Sequence, residues 1–444
     1  MIKLKNSKIF VLGMARSGYE VSKYLSKYDN EIIVTDAKEQ ESSKVQELES
    51  LGIKVVITDK PEELLNNTYN VVIKNPGIKY TNPLIVKANS LSIPVINEVE
   101  AASYFFPENL QVIGVTGSNG KTTTTNLINE MLKAAGKKVI MAGNMGIPVC
   151  SVLNDLDSDT ILLLEISIQQ LCNMNHFKTN VSVLTNLTPT HIDFLDTYEN
   201  YKNTKKRIFN NHTDKDIAIL NLNNNDEIEL TKDIKSHKVY FSSTSNTDIC
   251  INDDYITYFG EKIIKLEDIK LQGMHNYENA CCAIGAVKHY NVDNAAIIKV
   301  LKEFGGVEHR LEYVRTLNNV EYYNDSKATN TVSTTIALKA FNKPTILIMG
   351  GLDRGHSFEP LNDYMKNVKL VVCYGQTKNR IEKWADSLNI AVKVVDNLHD
   401  ATMYANSKAL PGDVILLSPA CASWDQYKCF EDRGTEYKTI VNGL

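Results

Sequence analysis

Short, continuously apolar runs recur along the chain. Each ends at a glycine or polar turn, and most are followed by apolar residues at helical spacing. Runs without polar alternation predict strands buried on both faces, and their alternation with helices predicts parallel sheets. The first group is Lys8-Ile9-Phe10-Val11-Leu12, Glu31 to Thr35, Val55-Val56-Ile57, Val71 to Lys74 and Ile93 to Glu98. A second comprises Leu110 to Val115, Val139 to Ala142, Ile161 to Leu164 and Val181 to Asn186, after a helix expected over 98–106. A third comprises Glu321 to Tyr323, Thr345 to Met349, Leu370 to Tyr374, Ala391 to Val395 and Val414 to Leu417. The pattern predicts an α/β protein of three domains. These are a Rossmann-like domain over 1–97, a central P-loop domain with a parallel sheet over 98–305 and a doubly wound α/β domain over 306–444. The short β-like pieces between 217 and 270 carry no evident chemistry.

The most informative turn follows Leu110 to Val115. It reads Thr116-Gly117-Ser118-Asn119-Gly120-Lys121-Thr122-Thr123, and Leu127, Ile128, Met131 and Leu132 then recur at helical spacing up to Gly136. A strand, a glycine-bearing loop and a helix N-terminus bind phosphate, because backbone N–H groups and the helix dipole favour an anion. Lys121 suits the outer phosphates and Thr122 a magnesium ion. Val115 stands where the strict Walker pattern has its first glycine, so the match is the shorter G-x-x-G-K-T form.

Other polar residues also stand at strand ends. Glu165 closes an all-apolar run, and His191 follows another. Together with phosphate oxygens they suit magnesium; alternatively Glu165 is a helix cap or salt-bridge residue and His191 a packed loop histidine. In the helix from Tyr198, Lys205 shares a face with Tyr201, Ile208 and Phe209, where a snorkelling side chain is the plain reading. Asn276 and Asn279 near a helix start are either base contacts or caps. The turn Gly13 to Gly18 is a dinucleotide fingerprint with Ala15 at its middle glycine, which weakens a nicotinamide-dependent reading and leaves a sugar-nucleotide or a structural role open.

Composition narrows the partners. The 444 residues are 43% hydrophobic and 23% charged, with net charge −5 and no basic block, so neither nucleic acid nor an anionic membrane is expected. No apolar run approaches membrane-spanning length. The eight cysteines are scattered without metal spacing, which predicts reduced, mostly buried thiols in a cytoplasmic protein.

Across essentially its whole length the chain resembles the Mur ligases. The resemblance is carried by TGSNGKTT (116–123), GNMGIP (143–148), HNYEN (275–279), EHR (308–310), NDSKATN (324–330), GGLDRG (350–355) and SPACASWDQY (418–427). The last two look most like the glutamate-adding branch. The resemblance implies an ATP- and Mg2+-dependent monomer that phosphorylates the alanine carboxylate of UDP-N-acetylmuramoyl-L-alanine and gives the acyl phosphate to D-glutamate. It implies ATP contacts from Gly117, Ser118, Asn119, Gly120, Lys121, Thr122, Thr123, Asn276 and Asn279, with Arg310, Asp325 and Lys327 closing from the third domain. Thr122, Glu165, His191 and a carbamylated Lys205 would hold metal, with Lys121, His191 and Lys205 catalytic. Ser17 and Asp36 would contact the uridine diphosphate, Asn144 and Ser167 the sugar substrate, and Arg354, Ser423 and Phe430 the D-glutamate. One stretch departs: the family's E-L-S-S-F-Q-L is here Glu165-Ile166-Ser167-Ile168-Gln169-Gln170-Leu171. An ATPase switch without ligation would have no need of NDSKATN.

Overall fold

Five of the apolar runs pair as one parallel sheet: β1 (Lys8–Leu12), β2 (Glu31–Asp36), β3 (Lys54–Ile57), β4 (Val71–Lys74) and β5 (Val95–Ile96), in the order β3-β2-β1-β4-β5. The order reverses at β1, which opens a crevice at the C-terminal ends of β1 and β4. This is a computed structural model that describes residues 2–189 and 192–444, the side chains of Ile192, Asp193 and Val332 excepted. The chain divides into two compact units, the first ending at Phe304 and the second running Gly305–Leu444.

The first unit holds a second sheet of nine strands. They are β6 (Gln111–Thr116), β7 (Val139–Gly143), β8 (Ile161–Glu165), β9 (Val181–Leu184), β10 (Ile217–Asn221), β11 (His237–Ser242), β12 (Ile249–Asn252), β13 (Tyr255–Tyr258) and β14 (Glu261–Lys265). The order is β14-β13-β12-β11-β10-β9-β6-β8-β7, parallel from β7 to β12 and antiparallel through β13 and β14. Side chains alternate between the faces. Val112, Leu162 and Leu164 face one core, shared with Val11, Val99 and Val149. Ile113, Val115, Ile161 and Leu163 face another, built with Leu127, Ile128, Ala283 and Ile284. Both faces are covered, which is why these strands are apolar at successive positions.

The two sheets of this unit are fastened by one segment. The Asn97 amide donates to Gln170 O (2.5 Å), Glu98 Oε1 accepts the Cys150 N–H (2.5 Å), and Glu100 accepts those of His176 and Phe177 (2.7 and 3.0 Å). The helix expected over 98–106 spans Glu98–Ser103. It tightens at its end, where Phe105 N–H bonds Ala102 O (2.9 Å), and the Phe105 ring packs against Tyr24 and Tyr28. The helix from Tyr198 likewise ends at Lys206, and Arg207–Phe209 is a 3₁₀ turn that keeps Ile208 and Phe209 buried.

In the second unit, β15 (Glu312–Leu317), β16 (Val320–Asn324), β17 (Thr345–Gly350), β18 (Val368–Tyr374), β19 (Ala391–Val394) and β20 (Val414–Leu417) are ordered β15-β16-β20-β17-β18-β19. Only β15 is antiparallel to its neighbour among these strands. Its half-exposed sequence gives no continuous apolar run, but Asn318-Asn319, both with positive φ (51° and 61°), mark its tight hairpin to β16. All eight cysteines are free thiols, and only Cys429 is not buried. Among the described residues no helix is long and apolar enough to cross a membrane.

Burial raises the Glu98 carboxyl from its usual 4.5 to about 7, against the lowering effect of the Cys150 N–H. Between those values the folded chain keeps a proton that the unfolded chain releases, so the ionised group opposes folding more as pH rises, fully so above pH 7. Glu98→Gln keeps the acceptor oxygen and removes the ionisation. Urea unfolding should show the variant gaining about 3 kcal/mol on wild type between pH 4.5 and pH 8. A pH-independent difference would refute this.

Candidate active site

The phosphate loop leaves β6, the strand flanked by β8 and β9. Its helix spans Lys121–Ala134, and Gly136 (φ +70°) follows in the left-handed stop position. A Cβ on Gly117 would fall 2.0 Å from Thr185 Oγ1, and one on Gly120 (φ +79°) would fall 2.2 Å from Asn279 Oδ1. The two glycines are thus required by the packing of the loop. The loop is held from the end of β9. Asn186 O accepts Ser118 N–H (2.9 Å), Asn186 Oδ1 accepts Asn119 N–H (2.9 Å), and Thr185 Oγ1 donates to Asn119 O (2.5 Å). Those two loop N–H groups are committed to the protein, which leaves the first turn of the helix and its dipole as the groups an anion could meet. Lys121 Nζ donates to Gly117 O and Ser118 O, 2.9 Å each, folded over the loop it serves. Sequence reasoning did not single out Thr185 or Asn186. Their signal was a polar pair closing an apolar strand beside β6.

Glu165 lies at the end of β8, 3% exposed. Asn144, at the end of β7, donates its amide to Glu165 Oε1 (2.8 Å) and its backbone N–H to Glu165 O (2.8 Å). Glu165 Oε2 is buried and has no hydrogen-bond partner. A carboxylate oxygen left without a donor is costly to bury and suits a hard cation. Lys205, 1% exposed, donates from Nζ to Thr116 Oγ1 (2.8 Å), and that hydroxyl donates onward to Ile166 O (2.8 Å). Burial pushes the Lys205 amine well below its ordinary range. The Lys121 ammonium adds to this, and Glu165 opposes it. Lys205 is therefore no snorkelling surface lysine but an inward amine held beside the phosphate loop. His191 lies outside the described residues.

Other predicted residues take structural positions. Ser167 caps the turn Ile168–Leu171 in a reciprocal arrangement with Gln170. Asn279 accepts from Thr124 Oγ1 (3.3 Å) and donates to Asn276 Oδ1 (3.4 Å), which places Asn279 against the phosphate-loop helix with Asn276 beside it. In the first sheet, Asp36 accepts the N–H groups of Met14 (2.8 Å) and Lys38 (3.0 Å) and so closes the turn before the helix Arg16–Leu25, which carries Ser17. A Cβ on Gly18 would meet Gly13 O at 1.8 Å, so the fingerprint's last glycine serves helix–strand packing. The adjoining loop is organised by Lys74, unnoticed in the sequence. It is 1% exposed and donates to Pro76 O (3.1 Å) and Ile78 O (2.9 Å), with burial lowering its amine to about 8.

The second unit gathers its predicted residues around a buried arginine. Arg433, fully buried, donates to Ser326 Oγ (2.9 Å), Ser326 O (2.8 Å) and Cys421 O (3.1 Å). Ser326 in turn donates to Phe430 O (2.8 Å), and Lys327 Nζ stands 5.5 Å from the Phe430 ring. Asp325 accepts from Ser418 Oγ (2.7 Å) and Leu311 N–H (3.1 Å), next to Arg310 in the chain; burial raises it to about 7. Arg354 stacks 4.7 Å from the Trp424 ring, which is 62% exposed, while neighbouring Ser423 is buried. Sequence reasoning quoted Trp424 only within SPACASWDQY and did not name Arg433, which lies in a helix outside every motif.

A glycine loop on an inner strand of a mostly parallel sheet, its Lys-Thr at a helix start and an orphaned carboxylate beside it define a P-loop-type α/β nucleotide-binding protein. The chain belongs to the Mur ligase family. Residues 7–97 match the MurD-like N-terminal domain, 115–287 the Mur ligase middle domain and 309–421 the Mur ligase glutamate ligase domain. It is 43% identical to the UDP-N-acetylmuramoylalanine–D-glutamate ligase of Bacillus cereus strain AH187, over 100% of this chain and 99% of that one. Identity to the protein of the same name in Bacillus anthracis strain A0248 is 42%, with the same coverage. Among solved structures, the UDP-N-acetylmuramate-alanine ligase MurC of Thermotoga maritima shares the fold at TM-score 0.58 and 17% identity, over 98% of this chain and 99% of that one.

Thr116 is the acceptor that makes burial of Lys205 tolerable. Thr116→Val preserves shape and removes that acceptor, so it should cost about 2 kcal/mol in urea unfolding, against under about 1 kcal/mol for Thr116→Ser. Equal effects would show that the hydroxyl is not used.

Proposed function

We propose that the chain is an ATP-dependent ligase that joins D-glutamate to UDP-N-acetylmuramoyl-L-alanine, releasing ADP and phosphate, in peptidoglycan precursor synthesis. The observation that carries this is the buried set beside the phosphate loop, Glu165 with an unpartnered oxygen and Lys205 on Thr116, in a chain matched along its length by glutamate-adding relatives. In the first step an oxygen of the alanine carboxylate bonds to the γ-phosphorus of ATP and the bond to ADP breaks, giving an acyl phosphate. In the second, the D-glutamate nitrogen attacks the acyl carbon, the C–N bond forms, phosphate leaves and the nitrogen loses a proton. Both steps bring anions together, so the protein's task is positioning and charge neutralisation.

Gly117 to Thr123 seat the phosphates, with Lys121 as their cation. Thr122 and Glu165, with His191 as the sequence expects, would hold Mg2+, which supplies neutralisation of phosphate charge when bound. The Lys205 amine, its pKa lowered by burial, would add to carbon dioxide and lose a proton to become a carbamate, an anion that would serve as a further metal ligand. Asn144 positions Glu165 and meets the sugar substrate with Ser167, while Ser17 and Asp36 line the uridine diphosphate end. Asn276 and Asn279 flank the adenine. From the C-terminal domain, Arg310, Asp325 and Lys327 serve the nucleotide, and Arg354, Ser423 and Phe430 serve D-glutamate. The domains divide at 1–97, 98–305 and 306–444, and the enzyme acts as a monomer in the cytoplasm.

Phosphate release from ATP should require both UDP-N-acetylmuramoyl-L-alanine and D-glutamate, with L-glutamate and L-alanine inactive. Release indifferent to the amino acid would make the chain an ATPase, and another acceptor would overturn the D-glutamate assignment. Lys205→Ala should lose about 100-fold or more in rate, and added acetate or formate should restore a part of it. A fully active variant would remove Lys205 from the mechanism.

A further inference from the structure

The first unit contains a cavity of about 490 Å³ that includes none of the residues assigned above. Its walls come from the loop after β4 (Lys79, Tyr80), from Cys172, from Phe194 and Leu195, and from the helix Tyr198–Lys206 and the turn that follows, ending in Arg207. The size suits a small organic molecule. Its lining combines the apolar and aromatic groups of Tyr80, Phe194 and Leu195 with amide and hydroxyl groups and the charged Lys79, Asp196 and Arg207.

Arg207 gives the cavity its chemistry. Its Nη2 donates to Met174 O (2.9 Å) and Asn175 Oδ1 (2.7 Å), both uncharged. Its Nε is buried and has no hydrogen-bond partner. The other surface cations of the same segment are neutralised: Lys202 by Glu199 (3.0 Å) and Asp226 (3.3 Å), Lys206 by Asp233 (2.6 Å). Among the described residues Arg207 forms no ion pair. Asp196, also on the cavity wall, is exposed, and Lys79 is a second cation there. A buried guanidinium N–H without an acceptor is unfavourable until one is supplied; with both Nη2 hydrogens already committed, a carboxylate oxygen would meet the Nε–H in a single charge-assisted hydrogen bond. The Tyr80 phenol, donating to Asn173 Oδ1 (3.3 Å) and held protonated by burial, adds no competing charge.

We propose that this cavity is a binding site for a small aromatic carboxylate, its anion on Arg207 and its ring against Tyr80, Phe194 and Leu195. Its lining shares no residue with those assigned to the nucleotide or the sugar substrate. Its ligand would bridge the loop of the first sheet to the helix that carries Lys205.

Calorimetric titration of the full chain with benzoate, and with uncharged benzamide as the control, measures the binding. Alkylation of Cys172 by iodoacetamide, quantified by peptide mass spectrometry, locates it. Benzoate should bind saturably, at least about tenfold more tightly than benzamide. It should slow alkylation of Cys172 several-fold and leave Cys429 unaffected. Protection should persist with saturating UDP-N-acetylmuramoyl-L-alanine and in Lys206→Gln, and be lost in Arg207→Gln. The comparison of benzoate with benzamide uses the unaltered chain, so it stands even if Arg207→Gln unfolds. Equal binding of the two probes, unslowed alkylation, or displacement of benzoate by the sugar nucleotide would overturn the proposal.

Discussion

Taking a lysine amine out of water requires a partner or the loss of its charge, and the centre of the first unit is arranged around that requirement. Lys205 has as its hydrogen-bond partner a hydroxyl, not a carboxylate, and the hydroxyl's own proton is committed to Ile166 O. The Thr116 oxygen can therefore only accept from Lys205, and the remaining face of the amine is left to its surroundings. Those surroundings are Lys121, which disfavours a second positive charge, and Glu165, which favours one. Burial is the largest of these influences, so the site favours the uncharged amine more than an ordinary lysine environment does.

The same constraint explains why the chemistry gathers at strand ends. β6, β8 and β9 are buried on both faces, so their polar residues stand mostly where the strands stop, Ser182 inside β9 being accommodated by hydrogen bonds with Thr179 and His212. Thr116, Asn144, Glu165, Thr185 and Asn186 all do so. Because β6, β7, β8 and β9 are parallel neighbours, those ends share one edge of the sheet. Once there, the residues bind one another first: Asn144 holds Glu165, and Thr185 with Asn186 holds the phosphate loop. Several groups read as ligand contacts are thus also supports for their neighbours, which is how a site built on loops keeps its geometry.

Other buried charges act as fasteners. Lys74 organises the loop Asn75 to Ile78, Glu98 and Glu100 join the first sheet to the second, and Arg433 ties Ser326 to the Cys421 turn within the second unit. Each donates to or accepts from backbone groups that would otherwise lack partners at an irregular stretch. None carries a local sequence signal, since a single charged residue near a strand reads as an exposed one.

The sequence by itself determined the α/β class, the strands of all three sheets that are buried on both faces, the phosphate loop and the family. Continuous apolar runs and a glycine-lysine-threonine turn are local properties, set by the period of the backbone and by its need to approach a ligand. It left open whether Lys205 is a surface or a buried lysine and whether Glu165 is a cap or an unpaired acceptor, and it missed the hairpin strand β15, whose half-exposed residues give no run. Only the tertiary structure decided these. Burial and hydrogen-bond partnership are relations between distant segments: Lys205 and Thr116 are 89 residues apart, and Asn186 and Asn119 are 67. No periodicity along the chain encodes which distant atom will satisfy a buried amine, and that choice gives this site its chemistry.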